Sequence, residues 1–271
     1  MDLPVAANAR EIGECIYCGQ TEGKLTKEHA VPYSLNGRWT LLRASCEKHA
    51  RITGAIERET ARCLYPSVRN VLRMQSRKGN YPESLPVIIR RSGEPEPETI
   101  HVPRNEFPLY LPTPLFPPPA VLWRKEPKDH FYATLEVLHI AGPTFKQFSE
   151  QRGVAYAGEH INFDPVAFAR TLAKIGFCAA IYTLGLAPLS LTPIRNIILG
   201  TDLCIGHWVG CWYGEPVNEM GGGIEIRVKA SGHDIHVFIR LFAQFEAPEY
   251  HVVLGPASPD FIASGQWPFK S

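Results

Sequence analysis

Near the start of the chain, two thiols stand three residues apart, in Cys15-Ile16-Tyr17-Cys18-Gly19, and a second pair follows as Cys46-x-x-His49. Thiolates and imidazole are the ligands zinc prefers, and two short-spaced pairs supply the four donors of a closed tetrahedral structural site. Gly19 permits the tight turn that brings the first two sulfurs to one ion. Buried free cysteines are the plainer explanation of any single pair, but two pairs bracketing one short basic segment point to zinc. A redox dithiol fits poorly, because no βαβ pattern surrounds the cysteines. Between the pairs lies Lys27-Glu28-His29-Ala30-Val31-Pro32, followed by Asn36-Gly37. Taken alone, the neighbours Glu28 and His29 read as a solvent-exposed charged pair.

This order of residues resembles the HNH, or ββα-metal, endonucleases that carry a zinc-knuckle frame. That family reads Cys-x-x-Cys, then Asp/Glu-His-x-x-Pro, then a Gly-containing loop, then Cys-x-x-Cys at a helix start. Here the matching positions are Cys15, Cys18, Glu28, His29, Pro32, Gly37 and Cys46, with His49 in the last place. The match covers about residues 13–60. The resemblance implies a hairpin packed on a helix with a divalent metal such as Mg2+, Mn2+ or Ni2+ between them. It implies metal-dependent hydrolysis of DNA phosphodiester bonds, with His29 as general base and Glu28 as metal ligand. Ala50 stands where the family places a second metal ligand, and it has no donor. Glu57, further along the same helical face, is the candidate replacement, and Asn36 is the candidate for the family's middle Asn. The alternative is a zinc-stabilised nucleic-acid-binding module without catalysis.

The elements that must position these residues follow from pattern. A helix is expected from Glu47 to Leu64, carrying Arg51, Arg58 and Arg62. A second, opened by Pro66, is expected to carry Arg69, Arg73 and Arg77 as an i, i+4 basic stripe able to follow a phosphate backbone. Residues 1–80 hold 13 Lys/Arg against 8 Asp/Glu, and the remainder 15 against 19, so a basic module precedes an acidic one. Residues 82–127 carry twelve of the 24 prolines and read as a connector over 81–127, within which Leu85–Ile89 could still form a strand. Residues 128–271 read as a mixed α/β domain. In it, Phe131–Ile140 is strand-like, and Asp164-Pro165 opens a core helix that stops at Gly185. Ile235, Val237, Ile239 and Leu241 alternate onto one strand face. The metal-like spacings Cys204-x-x-His207 and His233-x-x-His236 read as buried or satisfied side chains rather than a second metal site.

The fold expected is therefore α+β: a zinc-bound ββα-metal (HNH) module over 1–80, a proline-rich connector, and a mixed α/β C-terminal domain. A content of 45% hydrophobic and 20% charged residues is ordinary for a soluble protein. With no signal pattern at the start and no long uncharged run, a cytoplasmic protein that does not enter a membrane is expected. DNA is the expected partner, with strandedness and oligomeric state left open.

Overall fold

Asp164, Pro165 and Gly185 delimit the element around which the rest is arranged. The Asp164 carboxylate accepts hydrogen bonds from the backbone N–H groups of Val166 and Ala167 at 2.9 and 3.0 Å. Pro165 occupies the first turn, and Gly185, at φ 91°, ends the helix. A computed structural model describes residues 9–76, 79–189, 192–212 and 223–264. In it this helix, α4 (Pro165–Leu184), is buried along most of its length, from Ala167 to Ile181. By length and hydropathy it could cross a membrane, but most of it is covered by the protein's own elements, as befits a core helix.

Before α4 come strands β1 (Ala9–Glu11), β2 (Leu25–His29) and β3 (Thr40–Cys46), helices α1 (Glu47–Glu59) and α2 (Pro66–Val71), and strands β4 (Ser84–Arg90), β5 (Glu98–Pro103), β6 (Leu109–Leu115) and β7 (Thr134–Ala141). Helix α3 (Phe145–Arg152) and β8 (Tyr156–Gly158) lead into α4. After it come α5 (Ile194–Leu199), α6 (Ile205–Trp208), β9 (Val209–Trp212), β10 (Ile224–Ser231), β11 (Asp234–Leu241), β12 (Glu249–Pro256) and α7 (Pro259–Ala263). The elements form an α+β arrangement, as expected.

One face of α4 packs on the antiparallel sheet β10-β11-β12-β9, and the opposite side meets α1 and α5. Ile235, Val237, Ile239 and Leu241, the alternating set of β11, are all buried on the side that α4 covers. Approach is close at Gly176, where an added Cβ would lie 3.0 Å from the Val252 side chain of β12. On the far side, β2 and β3 form an antiparallel hairpin, with β1 parallel to β3 on its outer edge. The helix expected from Glu47 to Leu64 is present as α1 continued by a π turn over Thr60–Leu64. There Thr60 Oγ1 lies 2.9 Å from Thr171 Oγ1 of α4.

Two expectations are corrected. The proline-rich connector is itself sheet-forming. β4 pairs with both β5 and β8, and β6 pairs with β7, so the division at 127/128 runs between paired strands. The prolines sit where the ladder tolerates them. Pro86 precedes the part of β4 that pairs with β8, and Pro112 and Pro114 lie in the two-stranded β6-β7 ribbon. The basic stripe over Arg69, Arg73 and Arg77 does not form, because α2 ends at Val71 and Arg73 adopts a left-handed turn at φ 49°. Arg69 turns inward, its Nε donating to Ser34 O at 2.9 Å and its Nη1 to Ala61 O at 3.4 Å. Arg77 lies outside the described residues.

Within the C-terminal sheet, His251 of β12 is buried, with its ring stacked on Phe238 at 4.4 Å and its Nε2 2.9 Å from Nδ1 of His236. Burial, aided by His236, lowers its pKa to about 3. In the unfolded chain a histidine titrates near about 6.5. The unfolded state therefore takes up the proton first, and stability contributed above that pH is lost as the pH falls. By pH 5 the loss from this residue is roughly 2 kcal/mol. Urea unfolding at pH 7 and pH 5 should show His251→Gln losing less stability between the two than the wild type does. Equal losses would refute the assignment.

Candidate metal centre and the buried ion cluster

The Cys15–Cys18 segment is a tight turn. Cys15 N–H donates to Gln20 O at 2.8 Å and Gly19 N–H to Cys15 O at 2.7 Å, with Gly19 at φ 74°. Cys46 is the last residue of β3 and the cap residue of α1, and His49 lies in the first turn of that helix. The donor atoms of Cys15, Cys18, Cys46 and His49 all lie within 4.8 Å of one another. His49 Nδ1 is 3.4 Å from Cys15 Sγ and 3.2 Å from Cys46 Sγ. Three thiols and one imidazole converging in this way could hold a metal such as zinc.

The shifts at Cys46 and His49 suit a bound cation, whereas that at Cys15 opposes its ionisation. Burial raises the Cys15 pKa to about 11. Burial acts the same way on Cys46, but the N–H groups at the start of α1 and the neighbouring thiols outweigh it, and its pKa is lowered. Burial, then Lys48, lowers the pKa of His49, which keeps the imidazole neutral and its lone pair available. A zinc ion would deprotonate the remaining thiols, so binding releases protons and weakens in acid. Among the described residues, Cys204, His207, His233 and His236 take no part in any cluster of three or more such groups.

Glu28 and His29 end β2, where Glu28 is paired with Leu41 and His29 with Thr40. Strand alternation sends their side chains to opposite faces. Glu28 is buried between the hairpin and α1, and Thr53 Oγ1 donates to its Oε2 at 3.5 Å. His29 is half-buried, with its Nδ1 3.4 Å from Thr40 Oγ1 and its ring 5.6 Å from that of Tyr33. Asn36 is a turn residue at φ 66°, and its Oδ1 accepts from Gln75 N–H at 2.8 Å. Glu57 does reach the neighbourhood of Glu28, as its place on the helix suggested.

What joins the two carboxylates is Lys174, from the middle of α4. Its Nζ lies 2.9 Å from Glu28 Oε1 and 2.6 Å from Glu57 Oε1. It also donates to the backbone carbonyl of His29. The Lys174 side chain is 0% exposed. Burial opposes its charge, but the carboxylates of Glu28 and Glu57 outweigh burial and hold the ammonium protonated. Burial, partly offset by Lys174, raises the pKa of Glu28. The residues present therefore do not fit a second, catalytic divalent ion here. Ala50 offers no donor, and the carboxylates already hold a cation. A lone lysine within an otherwise apolar buried run is the sequence signal that could have found this cluster, since a buried charge requires a partner.

Comparison of the chain with protein-family models, with curated proteins and with solved structures gave no match.

Purified protein is expected to carry about one zinc ion per chain by elemental analysis. Cys46→Ser should lose it and unfold the hairpin and α1, because the apparent binding energy of structural zinc is on the order of 10 kcal/mol and acts as folding energy. Protein free of zinc that keeps its native circular dichroism would count against a structural metal.

Proposed function

We propose that this chain is a zinc-stabilised DNA-binding protein that presents the outer face of α1 to the phosphate backbone. The observation that carries the reading is a row of exposed cations, Lys48, Arg51, Arg58 and Arg62, spaced by whole helical turns along α1 and its continuation. Among the described residues none of the four is ion-paired to a carboxylate, so their charge is available to a partner. The row extends roughly 20 Å at 1.5 Å per residue, long enough to follow several phosphates of one strand. It begins at Lys48, between Cys46 and His49 in the chain, so a metal there would fix the helix that displays it. Arg73 is exposed beyond α2, whereas Arg69 is engaged internally. DNA, rather than another polyanion, is supported by the likeness of the zinc frame to the HNH endonucleases. Contacts of this kind bind without reading sequence.

A second reading, endonucleolytic hydrolysis of DNA phosphodiester bonds with His29 as general base, is favoured by one observation. His29 remains half-exposed at the end of the hairpin, beside Tyr33 and Thr40, where an attacking water could reach it.

One set of experiments separates the two. The zinc-loaded protein should bind duplex DNA with a steep salt dependence. Changing Arg51, Arg58 and Arg62 together to Ala should flatten the log–log slope by about 3, near one unit per lost phosphate contact. An unchanged slope would return α1 to an ordinary solvated face. Supercoiled plasmid incubated with Mg2+, Mn2+ or Ni2+ should remain intact. Nicking that disappears in His29→Ala, with zinc content and melting temperature retained, would instead establish the hydrolytic reading.

A further inference from the structure

The Lys174 cluster resembles a metal's coordination shell more than a surface salt bridge. An ammonium has three N–H donors, and here they meet three oxygens: Glu28 Oε1, Glu57 Oε1 and the carbonyl of His29. The carbonyl of Ala30 stands further off, at 3.5 Å. These oxygens come from the end of β2 and from α1, the two elements that would flank a metal in a hairpin-on-helix site, whereas the cation comes from a third element, α4. The hydroxyls beside Glu28 are engaged as donors, that of Thr53 to Glu28 and the carbonyl of His49, and that of Ser45 to Glu28. A divalent ion bound by these carboxylates would sit about 2.1–2.5 Å from their oxygens, and the Lys174 ammonium already fills that space. The Lys174 side chain itself has no exposed surface.

We infer that Lys174 is a tethered cation that takes the place of a divalent metal between Glu28 and Glu57, so that the native chain binds no metal ion there. The disagreement between the metal-binding hairpin and its contents is thus built into α4. The ammonium is delivered by folding, at fixed stoichiometry, and cannot be removed by chelators. Being enclosed, it serves to hold β2 and α1 to α4 and does not reach a substrate phosphate. This holds whether or not the surface of α1 binds DNA.

The test is a Mn2+ titration of the full, zinc-loaded chain, followed by the loss of the free-ion electron paramagnetic resonance signal. Zinc in the thiolate site leaves no soft-ligand competitor for Mn2+. Wild-type protein should bind no Mn2+ at millimolar concentration, and its melting temperature should not respond to the ion. Lys174→Ala leaves two buried carboxylates without a cation. It should acquire one Mn2+ per chain, with a melting temperature that rises by several degrees as Mn2+ is added. The double variant Lys174→Ala, Glu28→Gln should lose that site. Two results would overturn the inference: Mn2+ bound by the wild type and lost in Glu28→Gln, or a folded Lys174→Ala protein indifferent to Mn2+. Should Lys174→Ala not fold even with Mn2+ present, the wild-type and Glu28→Gln titrations decide the matter alone.

Discussion

A primary ammonium with no solvent contact has to be surrounded by oxygen atoms, and in this protein that requirement brings three separate stretches of chain to one point. Lys174 reaches from the middle of α4 to Glu28 at the end of β2, to Glu57 on the fourth turn of α1, and to the carbonyl of His29. Removing one partner from a buried ion pair typically costs about 3–5 kcal/mol, because the remaining charge is left uncompensated. The hairpin, α1 and α4 are therefore linked through one atom. Since α4 also supplies the surface on which β11 and β12 pack, with Gly176 directly against Val252, the N-terminal unit and the C-terminal sheet share a single central helix.

The hairpin and α1 are held at two points of different character. At the start of the helix, Cys46 and His49 join the Cys15–Cys18 turn in a group suited to zinc. Further along, Glu57 and Glu28 meet the lysine. A unit of this size has little apolar surface of its own to bury, and small scaffolds usually rely on such cross-links. The two clamps differ in what can undo them. Chelation or acid would act on a metal held by the Cys/His group, whereas the ammonium is covalently part of the chain. Between them, the Arg69 guanidinium ties α2 back to the loop between β2 and β3 through the Ser34 carbonyl, a structural use of a residue type more often found on the surface.

Splitting Glu28 from His29 has a functional consequence. Adjacent strand residues face opposite ways, so the carboxylate enters the interior while the imidazole stays at the rim. One ammonium faces two carboxylates there, and Glu28 itself is buried against it. The exposed cations lie on α1, which is why the binding reading rests on that helix rather than on the hairpin.

Much of this was legible in the residues themselves, wherever the determinant was local. The spacing of Cys15, Cys18, Cys46 and His49 marked a group that could hold a metal, because ligand chemistry and chain reach leave few alternatives. Asp164, Pro165 and Gly185 marked the limits of α4, and the alternation of Ile235 to Leu241 marked the buried face of β11, since caps and period-two patterns are properties of short segments. In the proline-rich stretch the run Leu85–Ile89 was legible as a possible strand and lies in β4, whereas β6 was not, because strand pairing is decided by a distant partner: β4 pairs with β5 and β8, and β6 with β7. The expected Arg69–Arg77 stripe failed for a related reason, as a spacing cannot show that the helix ends at Val71 and that one arginine turns inward. What tertiary structure alone decided is the fate of Glu28 and Glu57. Their type and spacing are equally suited to a metal ion or to an ammonium. The choice lay with a lysine more than a hundred residues away, brought to them only when α4 packed against α1.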